Sequence, residues 1–119
     1  AGVSFLIPEI ADYEVRRELL RAGRHKGIER LDQLKDATSY VPLCTAAVLR
    51  AAEFWAKARN EGYPTADDKA LDGDVILAAQ AVIASGSGTT VVIATTNVGH
   101  LVRFADARRW NEIDKTDLL

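Results

Sequence analysis

The stretch from Asp74 to Asn97 limits the fold more than any other part of the chain. It runs Asp74-Val75-Ile76-Leu77-Ala78-Ala79-Gln80-Ala81, passes a Gly/Ser turn over Ser85–Thr90, and continues as Val91-Val92-Ile93-Ala94-Thr95-Thr96-Asn97. From Val75 to Ala84 the segment is apolar almost all round, which suits a helix enclosed on most sides. The run after the turn is β-branched with no alternation, the pattern of a parallel strand covered on both faces. In open α/β sheets, sites lie beyond the carboxyl ends of the strands. Thr95, Thr96 and Asn97 stand at such an end, and Asp74 opens the helix that precedes it.

Shorter elements repeat the alternation. Val3–Ile7 is an apolar run stopped by Pro8, a residue suited to the first turn of a helix over Glu9–Arg21 that ends near Gly23. A second helix spans about Gly27–Lys35, and Ser39–Cys44 is extended, with Pro42 suggesting a strand near the sheet edge. Thr45 is placed to cap a helix over Ala46–Glu61, closed by Gly62 and Pro64. The acidic segment Ala66–Asp74 reads as a loop, a short helix runs from Asn97 to Phe104, and Trp110–Asp114 reads as a small last strand. Strands separated by helices predict a mostly parallel α/β sheet.

A chain of 119 residues holds one core, so 1–119 is read as a single domain. Fifteen Lys and Arg against seventeen Asp and Glu leave no global basic excess, and any nucleic-acid contact must come from a local patch. Cys44 is the lone cysteine, which excludes an internal disulfide, fits a reducing cytoplasm and reads as a buried thiol. No apolar run is long enough to span a bilayer, and Ala1–Pro8 lacks the basic start and length of a signal peptide. The reading is a cytoplasmic protein with no membrane segment.

One charge in the first helix stands out. At about 100° per residue, Glu14 falls between Ile10 and Ala11, on an inward or nearly inward face that Glu18 shares. Position alone does not choose between them. Arg16, Arg17 and Arg21 are read on or near the opposite side, continuing into Arg24, His25 and Lys26, where phosphates or an acidic partner would meet them.

Tyr13-Glu14-Val15-Arg16-Arg17-Glu18-Leu19-Leu20 after an apolar strand and Pro8, then Asp74 with Ala78-Ala79, then Thr95-Thr96-Asn97 at a strand end, together resemble the PIN-domain nucleases, in particular their VapC-like toxin branch. The resemblance extends through Val98-Gly99-His100-Leu101-Val102-Arg103-Phe104 and Trp110-Asn111-Glu112-Ile113. It implies a three-layer α/β/α fold with a mostly parallel central sheet. It also implies an endoribonuclease of a toxin-antitoxin pair, neutralised by a small antitoxin protein and forming homodimers. The carboxylates matching Glu14 and Asp74 then help hold Mg²⁺ or Mn²⁺, and Asn97 completes or tunes the site. The family's first strand, an apolar run ending in Asp-Thr-Asn or Asp-Ser-Asn, has no counterpart before Val3, so the chain is expected to start at the family's second strand and to lack a principal metal ligand.

The chemistry suits these residue types. Phosphodiester hydrolysis needs an attacking hydroxide and neutralisation of charge on the phosphate oxygens, and a divalent ion held by carboxylates supplies both. Mg²⁺ takes one or two direct carboxylates and keeps several waters. Glu14 and Asp74 are therefore the expected metal-binding and catalytic pair, with Asn97 orienting a metal water or phosphate oxygen. Thr95, Thr96, Arg16 and Arg17 are the candidate substrate contacts.

Each residue also has a plainer role. Asp74 suits a helix start, with Asp72 the better structural cap; Glu14 suits a surface ion pair; Asn97 suits a turn after a strand. His100, His25 and the basic run fit packing or a solvated helix face, and Phe54, Trp55 and Trp110 fit core or interface anchors. The competing class is a catalytically inactive PIN-like RNA-binding or protein-interaction domain, or a truncated fragment. A phosphorelay receiver is set aside, because no acidic pair lies at an early strand end.

Overall fold

Pro8 sets the first corner of the chain. In the computed structural model, which describes residues 4–62, 68–86, 90–95, 101–102 and 104–109 (of 68–71 the backbone alone), Pro8 closes strand β1 (Leu6–Pro8) and caps helix α1 (Glu9–Arg21) in an extended conformation. Its ring fixes φ at a value compatible with both the strand end and the entry to a helix. α1 ends at Ala22 and Gly23, whose φ of 66° is a left-handed geometry that glycine adopts without strain. The Arg24 N–H then donates to the Leu19 carbonyl at 2.9 Å, closing the helix end.

Helix α2 (His25–Ala37) follows, and strand β2 (Ser39–Val41) returns parallel to β1 with Ile7 opposite Tyr40. Gly27 allows the start of α2 to lie against α1, since a Cβ there would fall 2.7 Å from the Leu19 Cδ2. The Glu9 carboxylate accepts a hydrogen bond from the Leu43 N–H at 2.6 Å, tying the start of α1 to the segment after β2. These elements form the first of two compact units, Ala1–Leu43.

The second unit, Cys44–Leu119, contains helices α3 (Thr45–Asn60) and α4 (Asp68–Ala84) and strands β3 (Ile93–Ala94) and β4 (Ala107–Arg108). β3 and β4 are parallel, with Ile93 opposite Ala107. α3 meets α4 along small side chains: Ala47, Ala51 and Ala58 are buried on one helix, and Val75, Ala78 and Ala79 on the other. Ala78, Ile93, Leu101 and Ala107 form the centre of this unit, with Phe54 and Phe104 stacked at its margin, ring centroids 5.0 Å apart. The enclosed character read from Val75–Ala84 is borne out at its centre, where Ala78, Ala79 and Gln80 are buried.

The α/β class is as expected, with four helices and short parallel strands among the described residues. Several boundaries differ from the sequence reading. α4 begins at Asp68, so Asp72 and Asp74 lie in its second turn and neither is its cap; Gly73 is accommodated inside the helix despite its cost of about 1 kcal/mol relative to Ala. Thr45 is the first helical residue of α3, and Cys44 is the N-cap, without a side-chain cap bond. Cys44 is exposed, not buried. Trp55 is 40% exposed and is no core anchor of this chain. Of Val91–Thr95, Ile93–Ala94 pairs as strand, opposite Ala107–Arg108. Trp110–Asp114 lies outside the described residues, and β4 precedes it. Most of the Asn97–Phe104 segment also lies outside, but the Phe104 and Ala105 N–H groups both donate to the Leu101 carbonyl, so the chain turns helically there. Among the described residues no helix is long and apolar enough to cross a membrane.

Candidate functional site

The structure separates the two carboxylates that the helical wheel of α1 left equivalent. Glu14 is half-buried, whereas Glu18 is exposed and paired with Arg21 at 2.8 Å. Among the described residues no cation pairs with Glu14. Its side chain borders a shallow, open groove on the surface of α1, lined also by Val15, Glu18, Leu19, Arg21, Ala22 and Arg24. Arg21 is thus on the same side as Glu14, not opposite it: seven residues are two helical turns, and the two positions share one stripe.

Arg16 proves to be tied into the first unit. Its Nε and Nη2 donate to Asp12 at 3.1 and 3.0 Å, and Nη2 also donates to Asp32 of α2 at 2.7 Å. Asp12 is 7% exposed and has Lys35 as a further cation at 3.7 Å. The hydrogen bonds from Arg16 hold the Asp12 carboxyl below its ordinary ionisation range, against the opposing effect of burial. The same two carboxylates hold the Arg16 proton more firmly than usual. Lys35 lies over the Tyr40 ring, 4.3 Å from its centroid. Burial, reinforced by the nearby Glu9 carboxylate, pushes the Tyr40 phenol up. Arg17 remains exposed, its guanidinium 5.2 Å from the Tyr13 centroid.

Sequence reasoning missed Asp12. The signal was present, since Asp12 and Arg16 are four residues apart and an i,i+4 pair of opposite charge meets on one helix face. What the sequence does not contain is the approach of α2, which brings Asp32 and Lys35 to that pair.

In the second unit Asp74 is half-buried in the second turn of α4. Thr95 directly follows β3, with its N–H donating to the Arg108 carbonyl at 3.1 Å. Thr96, Asn97 and His100 lie outside the described residues. Glu14 and Asp74 belong to different units. Among the described residues no three or more His, Cys, Asp or Glu side chains gather as a metal cluster. The two candidates are nonetheless oxygen donors of the class that Mg²⁺ and Mn²⁺ prefer, and Glu14 is a half-buried carboxylate with no paired cation among the described residues. The donor chemistry fits such an ion.

No protein-family model matches the sequence, and no curated protein matches it significantly. The architecture does find a counterpart. This chain has the fold of a chain of VapBC-1 from nontypeable Haemophilus influenzae. The two superpose with a TM-score of 0.69, covering 92% of this chain and 76% of the other, at 14% sequence identity. At that identity the likeness is one of fold, and it agrees with the α/β architecture expected from the sequence.

Proposed function

We propose that this chain is a PIN-like, Mg²⁺- or Mn²⁺-dependent endoribonuclease, the toxin of a toxin-antitoxin pair. The observation that carries the reading is Glu14: a half-buried carboxylate at an open groove, on a chain with the fold of one from VapBC-1. The PIN-like motifs around Glu14, Asp74 and Asn97 support it from the sequence side.

In this reading Glu14 and Asp74 hold the metal. The ion, when bound, supplies an activated water and neutralises charge on the phosphate being attacked. Asn97 orients a water or a phosphate oxygen by hydrogen bonding, and Thr95 and Thr96 donate to the same group. Arg17 is the more exposed of the two candidate arginines, whereas Arg16 serves mainly to fasten α1 to α2. A small antitoxin protein as partner and a homodimeric assembly follow from the same resemblance.

The test is cleavage of a mixed single-stranded RNA pool with Mg²⁺ or Mn²⁺, beside an EDTA control and folded Glu14→Gln and Asp74→Asn variants. Cleavage that needs metal and falls at least a hundredfold in both variants is the expected result; one carboxylate-to-amide change removes a charge and leaves only a neutral, weaker oxygen ligand. RNA binding without cleavage by the folded wild-type chain refutes the nuclease reading and favours a binding domain.

A further inference from the structure

The groove along α1 has a second end. Glu14 stands at one side of it, and Arg21 and Arg24 line it beyond. Glu14 and Arg21 are separated by about 10 Å along the helix, at 1.5 Å per residue. Arg24 is exposed, occupies the non-helical position between α1 and α2, and has no ion-pair partner among the described residues. Arg21 is held only by Glu18, in a pair whose side chains are 73% and 60% exposed. Such a pair contributes little and exchanges readily for another anion. Lys26 and Arg30, one turn apart on an exposed face of α2, lie outside the groove.

The charges in the groove are therefore unequal in their commitments. Glu18 offsets Arg21, and Glu14 is the carboxylate assigned to a divalent ion. Once such an ion sits at Glu14, the groove is positive, with Arg24 as its uncommitted cation. Arginine presents a planar fork of donors that matches phosphate oxygens. The aliphatic stretch of Val15, Leu19 and Ala22 between the charges offers a surface on which a sugar or base can rest.

We propose that Arg24, joined by Arg21 when it exchanges Glu18 for phosphate, forms a backbone-gripping arm that holds the RNA strand adjacent to the phosphate presented at Glu14. This rests on the nuclease reading for its substrate. The arm binds phosphate and carries no base information, so its contribution is the same for all sequences and is weakened by salt. Arg21 and Arg24 are binding residues here, and neither touches the reacting atoms.

The experiment is fluorescence anisotropy of a labelled mixed-sequence single-stranded RNA over a range of salt, with Ca²⁺ in place of Mg²⁺ to hold cleavage off. The chains compared are wild type, Arg21→Gln/Arg24→Gln, and the charge-matched Lys26→Gln/Arg30→Gln, whose residues lie outside the groove. All are checked for folding by circular dichroism. The groove variant is expected to bind about tenfold more weakly, with the slope of log K against log salt smaller by about 1.4, the loss of two single-strand phosphate contacts. Arg21→Lys/Arg24→Lys is expected to restore most of the slope. Equal weakening by the charge-matched variant overturns the placement in the groove, as does unchanged binding by the groove variant, and neither result touches cleavage. Wild-type RNA binding that depends on Arg21 and Arg24 in a chain that never cleaves with Mg²⁺ supports the arm while refuting the nuclease. A wild-type chain that does not bind RNA overturns the arm outright.

Discussion

Replacing Asp12 by Asn isolates the one buried carboxylate of α1. Asn keeps the volume but removes the charge that receives two hydrogen bonds from Arg16, at 3.0 and 3.1 Å, and faces Lys35 at 3.7 Å. Hydrogen bonds to charged groups contribute about 1.5–3 kcal/mol each, and breaking a fully buried pair costs about 3–5 kcal/mol. The full figure does not apply here. Arg16 keeps Asp32 at 2.7 Å and, with its side chain 27% exposed, it is within reach of water. Asn still offers one acceptor. The expected loss is therefore about 2 kcal/mol of folding stability. In urea this lowers the unfolding midpoint by about 1 M for an ordinary m-value of 1–3 kcal/mol/M.

The pH dependence gives a second, independent signature. Arg16 holds the folded carboxyl below its ordinary value of 3.8, so as pH falls the unfolded chain takes up the proton first. Stability from this group is full above that ordinary value and is lost as pH drops through the lower, folded value. The gap between wild type and Asp12→Asn should therefore be constant near neutral pH and close in acid. A variant within 0.5 kcal/mol of wild type at pH 7, on the roughly 2 kcal/mol scale argued above, or a gap that does not narrow in acid, refutes the reasoning.

Three further outcomes are expected. Tyr40 titrates above the ordinary tyrosine range because it is partly desolvated beside Glu9, so the folded chain keeps its proton when the unfolded chain has lost it, and this group erodes stability as pH rises past about 10; alkaline absorbance titration should show a raised component that is absent from Tyr40→Phe. Phe104→Ala removes the ring stacked on Phe54 at the margin of the second unit's core and should cost about 2–3 kcal/mol, less than a fully buried Phe because the ring is only half-covered, as read by chemical denaturation. Cys44 is exposed, so a thiol reagent should label it stoichiometrically under native conditions within the time that labels the unfolded chain; protection in the folded state contradicts the structure.

The residues that determine local structure were open to reading in the chain itself. Pro8 before Glu9, the apolar helix after Asp74 and the β-branched run to Thr95 each act through short-range sterics or through burial that a continuous apolar segment requires. They set the α/β class, and the PIN-like motifs they carry point to Glu14 and Asp74. Errors arose where a local signal had a local competitor. The acids and Gly73 of the 66–74 segment favour loops in isolation, yet the helix extends back to Asp68, ahead of the buried Val75, Ala78 and Ala79. Thr96 and Asn97, two of the three residues expected at the strand end, lie outside the described residues.

Tertiary structure decided what each charge in the first unit is for. By sequence, Glu14 and Glu18 are one turn apart and chemically alike, and Arg16, Arg17 and Arg21 are interchangeable cations. Folding α2 against α1 brings Asp32 and Lys35 to the Asp12–Arg16 pair and so commits Arg16 to the fold, whereas Glu18–Arg21 and the shared stripe of Glu14 and Arg21 follow from the helix itself. Secondary structure follows from neighbours a few residues apart, which the sequence contains. The partner of a long, flexible charged side chain is set by whichever helix arrives beside it, and only the folded chain determines that.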